Sequence, residues 1–282
     1  MADGKTFFVV GILLLVAASL YSNRRSVGLI KLHRAITGER GCAPLRKSLG
    51  NVTLHYFASR GRAEVVRLAL EEAEIPYTET GFTKDTWPAA KQEGLKSGLY
   101  PFGLVPAIVT EGGDRIPDSQ AILRFIARAS NMDCECEDST MCDVFARSTE
   151  DFRKQRSTLV YDPDFTPEKR LEYLTTGKAK QWMGYFEKLA PSADNKPNDN
   201  SHAYFVGDHI TWIDILIFDL LDDHVALSQM DGLEKVNILA DFPRLRAFHS
   251  GFSRRPNIAA YLHSDRRLPY TIPYSEKLKS KE

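Results

Sequence analysis

The chain has 282 residues, 43% hydrophobic and 26% charged, with 37 basic and 37 acidic side chains. Those proportions suit a globular chain of one large or two modest domains and exclude a disordered or collagen-like one. A net charge of zero gives no general attraction to nucleic acid or to an anionic membrane, so no nucleic-acid partner is expected. The zero is an average: residues 1–50 hold eight basic and two acidic residues, leaving 29 basic and 35 acidic for the rest.

Phe7–Leu20 reads FFVVGILLLVAASL, fourteen residues without a charge. As a helix it covers about 21 Å, short of a hydrocarbon core of about 30 Å unless the flanking Thr6, Tyr21 and Ser22 extend it. Three readings compete: a cleaved signal, an uncleaved anchor, and a helix buried in the core. Small residues at Ala17, Ala18 and Ser19 fit a signal, yet Lys5 is its sole basic residue in front. The basic excess follows the apolar run at Arg24, Arg25, Lys31 and Arg34, which favours membrane attachment through Phe7–Leu20 with the remainder of the protein facing the cytosol. A secretory or organelle-targeted protein with a cleaved signal is the alternative. Residues 22–50 show no sustained period and read as a tether.

From Val52 the pattern becomes strand, helix, strand. Val52–Phe57 is short and β-prone; Val66, Ala69, Leu70 and Ala73 share one helical face, which Pro76 closes. Residues 76–82 and 105–109 read as strands, the stretch between them as irregular, and Glu111–Asp114 as a hairpin turn into Arg115-Ile116. Asp118 or Ser119 then caps a helix through Arg128 with Ile122, Phe125 and Ile126 as its stripe. After the acidic break at 133–138 the spacing predicts helices at about 139–160, 168–190, 211–226 and 242–263. The most apolar, from Trp212 to Leu221, has hydrophobic residues all round, as a central buried helix does; Thr211 and Asp214 form a capping pair at its start. The expected organisation is a segment at 1–50, an α/β domain with βαβ-ββα order at 51–131, an all-helical domain at 137–266 and a tail at 267–282.

Cys134, Cys136 and Cys142 lack a fourth ligand at zinc spacing, so no metal site is expected and the thiols read as reduced, consistent with a cytosolic face. The sequon Asn51-Val52-Thr53 carries meaning only in a luminal domain.

Five segments carry a family resemblance: YFASRGRAEVVRLALEEAEIPY at 56–77, LVPAIV at 104–109, DSQAILRFIAR at 118–128, EDFRK at 150–154 and VGDHITWIDILIFDLLD at 206–222. In this order they resemble the glutathione transferases of the Tyr type, closest to the pi, mu and sigma classes, over about residues 52–265. The resemblance implies a thioredoxin-like amino-terminal domain, an all-helical carboxy-terminal domain and a cis peptide before Pro106. Three departures stand out: Pro101-Phe102 lengthens the approach to the cis-proline segment, Leu104 stands where a glutamine is usual, and Asp118 replaces the usual Gln or Glu.

Such an enzyme must turn a thiol of pKa about 8.5 into the nucleophilic thiolate. Tyr56, at a strand end beside a helix amino-terminus and followed by Arg60-Gly61-Arg62, is the candidate catalytic donor; Ser59 is its rival. The resemblance also implies that glutathione is held by Tyr56, Arg62, Trp87, Lys96, Val105, Pro106, Asp118, Ser119 and Asp151. Val105 would pair with the cysteinyl main chain, Ser119 and Asp118 would hold the γ-glutamyl end, and Trp87 with Lys96 the glycyl carboxylate. Phe57, Arg62 and Tyr161 are candidates for the electrophile site, Tyr161 either donating to developing charge or simply packing. The expected assembly is a homodimer in which Asp151 reaches the neighbour's glutathione and Tyr100 is an aromatic key. Glutathione is a co-substrate and no cofactor is expected. The expected activity is conjugation of glutathione to hydrophobic electrophiles; the alternatives are a glutathione-dependent isomerase or peroxidase of lipid-derived substrates and a non-catalytic binder of hydrophobic ligands.

Overall fold

The computed structural model describes residues 48–191, 204–231 and 233–273, so Phe7–Leu20 and the other residues before 48 lie outside the described residues. Strand β1 (Val52–Phe57) leads through a 3-10 turn (Gly61–Ala63) into helix α1 (Glu64–Glu72) and strand β2 (Tyr77–Phe82). Helix α2 (Trp87–Ser97), strands β3 (Ala107–Thr110) and β4 (Arg115–Pro117) and helix α3 (Ser119–Ala129) follow. The four strands form one mixed sheet in the order β2-β1-β3-β4, with β1 parallel to β2 and antiparallel to β3.

Val52 and Leu54 point from β1 into a fully buried layer with Val66, Ala69 and Leu70 of α1 and Ile122, Leu123 and Ile126 of α3. The alternate residues His55 and Phe57 face a second, smaller cluster built on Phe82, Tyr100 and Ala107 and joined by Trp87. The period of two in β1 therefore separates a main core from an aromatic one.

Helix α2 occupies the stretch read from sequence as irregular. Pro88 and Gly94 both count against a helix interior, yet each has a local reason to be there. Pro88 sits in the first turn, where a missing N–H costs nothing. Gly94 lets the Tyr100 ring lie directly on the helix: a Cβ there would stand 1.8 Å from Tyr100 Cδ2.

Among the described residues six further helices make the all-helical domain: α4 (Ser139–Val160), α5 (Pro167–Thr175), α6 (Lys178–Leu189), α7 (Trp212–Ser228), α8 (Pro243–Ser253) and α9 (Pro256–Leu262). Two stretches expected as single helices are each broken in two. The break between α5 and α6 falls at Gly177, whose N–H folds back to the Glu172 carbonyl at 2.7 Å. The other precedes Pro256, which cannot donate into a continuing helix and holds Arg255 extended. Helix α7 is the central helix, buried nearly all round. The buried Asp214 carboxylate at its start accepts from the main-chain N–H of Thr211 at 2.8 Å and of Phe205 at 2.9 Å; burial still pushes its pKa up to about 6.

The reduced-thiol expectation is corrected. The connector after α3 folds back on the start of α4, which brings the Cα atoms of Cys134 and Cys142 to 6.6 Å, and the two form a disulfide. Cys136 is disulfide-bonded as well. Disulfides persist in oxidising surroundings, so the thiols no longer support a cytosol-facing catalytic domain. The membrane expectation is corrected with it: among the described residues no helix is long and apolar enough to cross a membrane. The most apolar, α7, has its hydrophobic surface buried by protein.

The first residues of the tail tie the two domains together. Arg267 pairs with Glu64 of α1 at 3.1 Å and with Asp222 of α7. Glu64 also accepts from Tyr261 at 3.1 Å and pairs with the fully buried Arg67 at 3.2 Å. Further along, Ile272 is buried.

Candidate active site

The sheet register brings the expected residues onto one line. In the β1–β3 pairing His55 lies opposite Ala107, so one step further sets Tyr56 opposite Pro106. In the β3–β4 pairing Ala107 lies opposite Pro117, so the same step sets Pro106 beside Asp118, whose N–H donates to the Pro106 carbonyl at 3.1 Å. Tyr56, the cis Val105-Pro106 bond and the start of α3 thus share one edge of the sheet at the carboxyl end of β1. Ladder pairing begins at Ala107 and leaves Val105 outside it, where its main chain can meet an extended peptide.

The Tyr56 hydroxyl accepts a hydrogen bond from the Arg62 main-chain N–H at 3.0 Å. Burial pushes the Tyr56 pKa up, with the Arg62 N–H opposing it, so the phenol is neutral at neutral pH and keeps its proton to donate. The turn that delivers this N–H passes through Gly61 at φ +42°, and a Cβ there would stand 2.6 Å from the Tyr56 hydroxyl oxygen. The turn is held from behind by Arg67, whose guanidinium donates to the carbonyls of Ser59 at 3.1 Å and Arg60 at 3.3 Å. Ser59, the rival donor, lies on this same turn, with its N–H turned to the Phe57 carbonyl.

Asp118 is the N-cap of α3 and its carboxylate accepts from the N–H groups of Gln120 and Ala121, both at 3.0 Å. Its φ of +73° is a strained conformation for a residue with a side chain, of the kind retained at ligand-holding positions. Ser119 follows it, buried in the first turn of α3, where N–H groups and the helix dipole favour an anion.

Arg62 sends its side chain across the domain boundary into a two-pronged pair with Glu150 of α4, at 3.0 and 2.6 Å. The EDFRK segment had suggested Asp151 alone. The signal for Glu150 was present in that string, but its partner is 88 residues away in sequence. Asp151 itself is exposed on α4. Tyr161, at the carboxyl end of α4, is 65% exposed and is therefore not packed in the core.

Trp87 begins α2 with its ring 5.2 Å from Phe82 and 5.5 Å from Tyr100. Lys96 is exposed in the last turn of the same helix. Phe57, expected in the electrophile site, is drawn into the aromatic cluster, 5.6 Å from both Trp87 and Tyr56. The Tyr100 key is corrected: the residue is 3% exposed, and its hydroxyl pairs with His55 Nδ1 at 3.0 Å inside its own domain. The exposed apolar side chains of that loop are Phe102, at 78%, and Leu104, at 67%. Among the described residues no group of His, Cys, Asp and Glu is arranged to hold a metal ion.

Residues 62–129 match the family description "Glutathione S-transferase, N-terminal domain", and residues 150–265 match "Glutathione S-transferase, C-terminal domain". Glutathione S-transferase Mu 4 of Homo sapiens is 31% identical over 78% of this chain and 94% of its own length. A glutathione S-transferase of Mesocricetus auratus is 30% identical over 76% of this chain and 92% of its own length. The solved pi-class glutathione S-transferase of Onchocerca volvulus superposes with a TM-score of 0.61 at 27% identity, covering 75% of this chain and 91% of that one. With the thioredoxin-like and helical domains and the edge carrying Tyr56, these similarities establish that the chain belongs to the glutathione S-transferase family.

Proposed function

We propose that this transferase conjugates glutathione to hydrophobic electrophiles with Tyr56 as the thiolate-stabilising donor. The single observation that carries this role is the Arg62 N–H on the Tyr56 hydroxyl at 3.0 Å, which orients the phenol and leaves its proton for sulfur. The thiol proton leaves to water and the Tyr56 O–H donates to the thiolate. Sulfur then forms a bond to the electrophilic carbon as the leaving group departs with the bonding electrons. Proximity in the cleft between the two domains supplies part of the rate.

Glutathione is bound, on this reading, with its cysteinyl main chain on Val105, its γ-glutamyl carboxylate at Ser119 and its ammonium near Asp118. Trp87 and Lys96 receive the glycyl end. The Arg62–Glu150 pair fixes α4 against the catalytic turn, which leaves Tyr161 to border the electrophile. The active form is a homodimer, with Asp151 directed to the neighbouring glutathione and with Phe102 and Leu104, not Tyr100, as the apolar contacts to the partner.

The test is conjugation of glutathione to a chloronitrobenzene by the purified protein. Product formation well above the uncatalysed rate supports the reading; glutathione binding without turnover overturns it.

A further inference from the structure

The carboxyl-terminal strap meets the catalytic turn at one residue. Arg60, two positions before the N–H that polarises Tyr56, donates from Nε to the Leu268 carbonyl at 2.6 Å, and its guanidinium stands 5.8 Å from the Tyr270 ring. From the other side Arg156 of α4 donates to the Tyr270 hydroxyl at 2.6 Å and lies 5.7 Å from the same ring. Arg156 is itself anchored on Asp223 of α7 at 2.7 Å. Tyr270 is therefore a wedge between the turn that forms the thiolate and the helix that ends at Tyr161. Two guanidinium groups on one ring repel each other; the aromatic ring between them and the half-buried Asp223 carboxylate paired with Arg156 offset that repulsion.

We propose that Tyr270 and Arg60 are positioning residues for conjugation: the strap, gripped by Arg60, fixes the Ser59–Arg62 turn and with it the N–H that orients the Tyr56 hydroxyl. This rests on Tyr56 as the thiolate donor. Neither residue needs to touch glutathione, because both act through the placement of Arg62 N–H. Loss of the strap contact leaves the turn held by Arg67 at its Ser59–Arg60 half and by the Arg62–Glu150 pair at its far end, a pair whose side chains are both partly open to water. The consequence is weaker thiolate stabilisation with glutathione still bound at Val105 and Ser119.

The experiment is a pH titration of the ultraviolet absorbance of bound glutathione thiolate, with KM for glutathione, in full-length Tyr270→Leu, Tyr270→Phe, Arg60→Met and Tyr56→Phe. The expected result is a thiolate titration about one pH unit higher in Tyr270→Leu and Arg60→Met, about tenfold less thiolate at a fixed lower pH, with KM for glutathione within about twofold. Tyr270→Phe keeps the ring beside Arg60 and titrates like the parent. If Tyr270→Leu does not fold, Arg60→Met decides alone. A folded Arg60→Met or Tyr270→Leu that titrates like the parent, while Tyr56→Phe loses its thiolate, overturns this proposal and spares the donor. A shift in Tyr270→Phe as large as in Tyr270→Leu overturns the route through Arg60. An unaltered thiolate in Tyr56→Phe overturns the donor and this proposal together.

Discussion

The main-chain N–H of Arg62 donates to the Tyr56 hydroxyl at 3.0 Å, while the Arg62 side chain grips Glu150 of the other domain. One residue thus orients the donor phenol and fastens the helical domain over it.

Gly61 is the spacer that makes the first of these contacts possible. In Gly61→Ala the new methyl meets the Tyr56 oxygen at 2.6 Å on a backbone already at φ +42°. We expect kcat/KM to fall about tenfold or more and stability by about 1 kcal/mol. Steady-state kinetics and urea unfolding check both; activity equal to the parent's contradicts the contact.

Glu150→Gln removes the charge from a pair only partly shielded from water, with side chains 45% and 27% exposed for Arg62 and Glu150. Thermal stability is expected to change little, by about 1 kcal/mol or less. The kinetic effect is larger and specific: KM for the electrophile rises several-fold because α4 loses its fastening to the catalytic turn. Equal KM values for the two proteins contradict this.

Phe102 tests the assembly. Its 78% exposure leaves a large aromatic surface in water beside Leu104, where a partner can cover it. Phe102→Ser is expected to shift sedimentation from dimer toward monomer without loss of helical content. Tyr100→Ser, by contrast, opens a cavity against Gly94 and Phe82 and is expected to lower stability by about 3 kcal/mol. A Phe102→Ser protein as dimeric as the parent removes Phe102 from the interface.

His224 gives stability a pH signature. It is buried and neutral, held between the Tyr173 hydroxyl at 2.9 Å and the Leu220 carbonyl at 2.7 Å, and burial drives its pKa down from 6.5 to about 4. A depressed folded pKa means a contribution that is complete above about pH 6.5 and lost as the pH falls through about 4. Asp214 and Asp219 have the opposite sign: burial pushes both up to about 6, so their contribution is complete below about 3.8 and lost as the pH rises through about 6. These two are common to parent and His224→Gln and cancel in the comparison. Between pH 6.5 and 4.5 the parent is expected to lose on the order of 2 kcal/mol more than His224→Gln. Parallel unfolding curves across that range contradict the assignment.

What could be read in advance was whatever lies in local pattern. The alternation in β1, the stripe of α1, the Thr211–Asp214 pair and the all-round apolar α7 each follow from neighbours in sequence. So did the line of Tyr56, Val105-Pro106 and Asp118-Ser119, because motif order carried it. Helix α2 was missed because Gly94 looks like a helix breaker until Tyr100 is seen resting on it. Tyr100 was mistaken for an exposed key for the same reason, since its contacts with His55 and Gly94 are tertiary. Glu150, Arg67 and Tyr270 act through partners brought together only by folding. The thiol reading failed because the spacing of Cys134 and Cys142 says nothing of how the connector folds back.

The donor role of Tyr56 is tested most directly by titrating the ultraviolet absorbance of glutathione thiolate on the full-length parent and on Tyr56→Phe, with glutathione affinity measured by calorimetry. The parent is expected to hold the thiolate well below the free thiol's pKa of about 8.5. Tyr56→Phe is expected to bind glutathione comparably, titrate it near the free value and lose about two orders of magnitude in kcat. A Tyr56→Phe protein that still holds the thiolate at neutral pH contradicts the account at its centre.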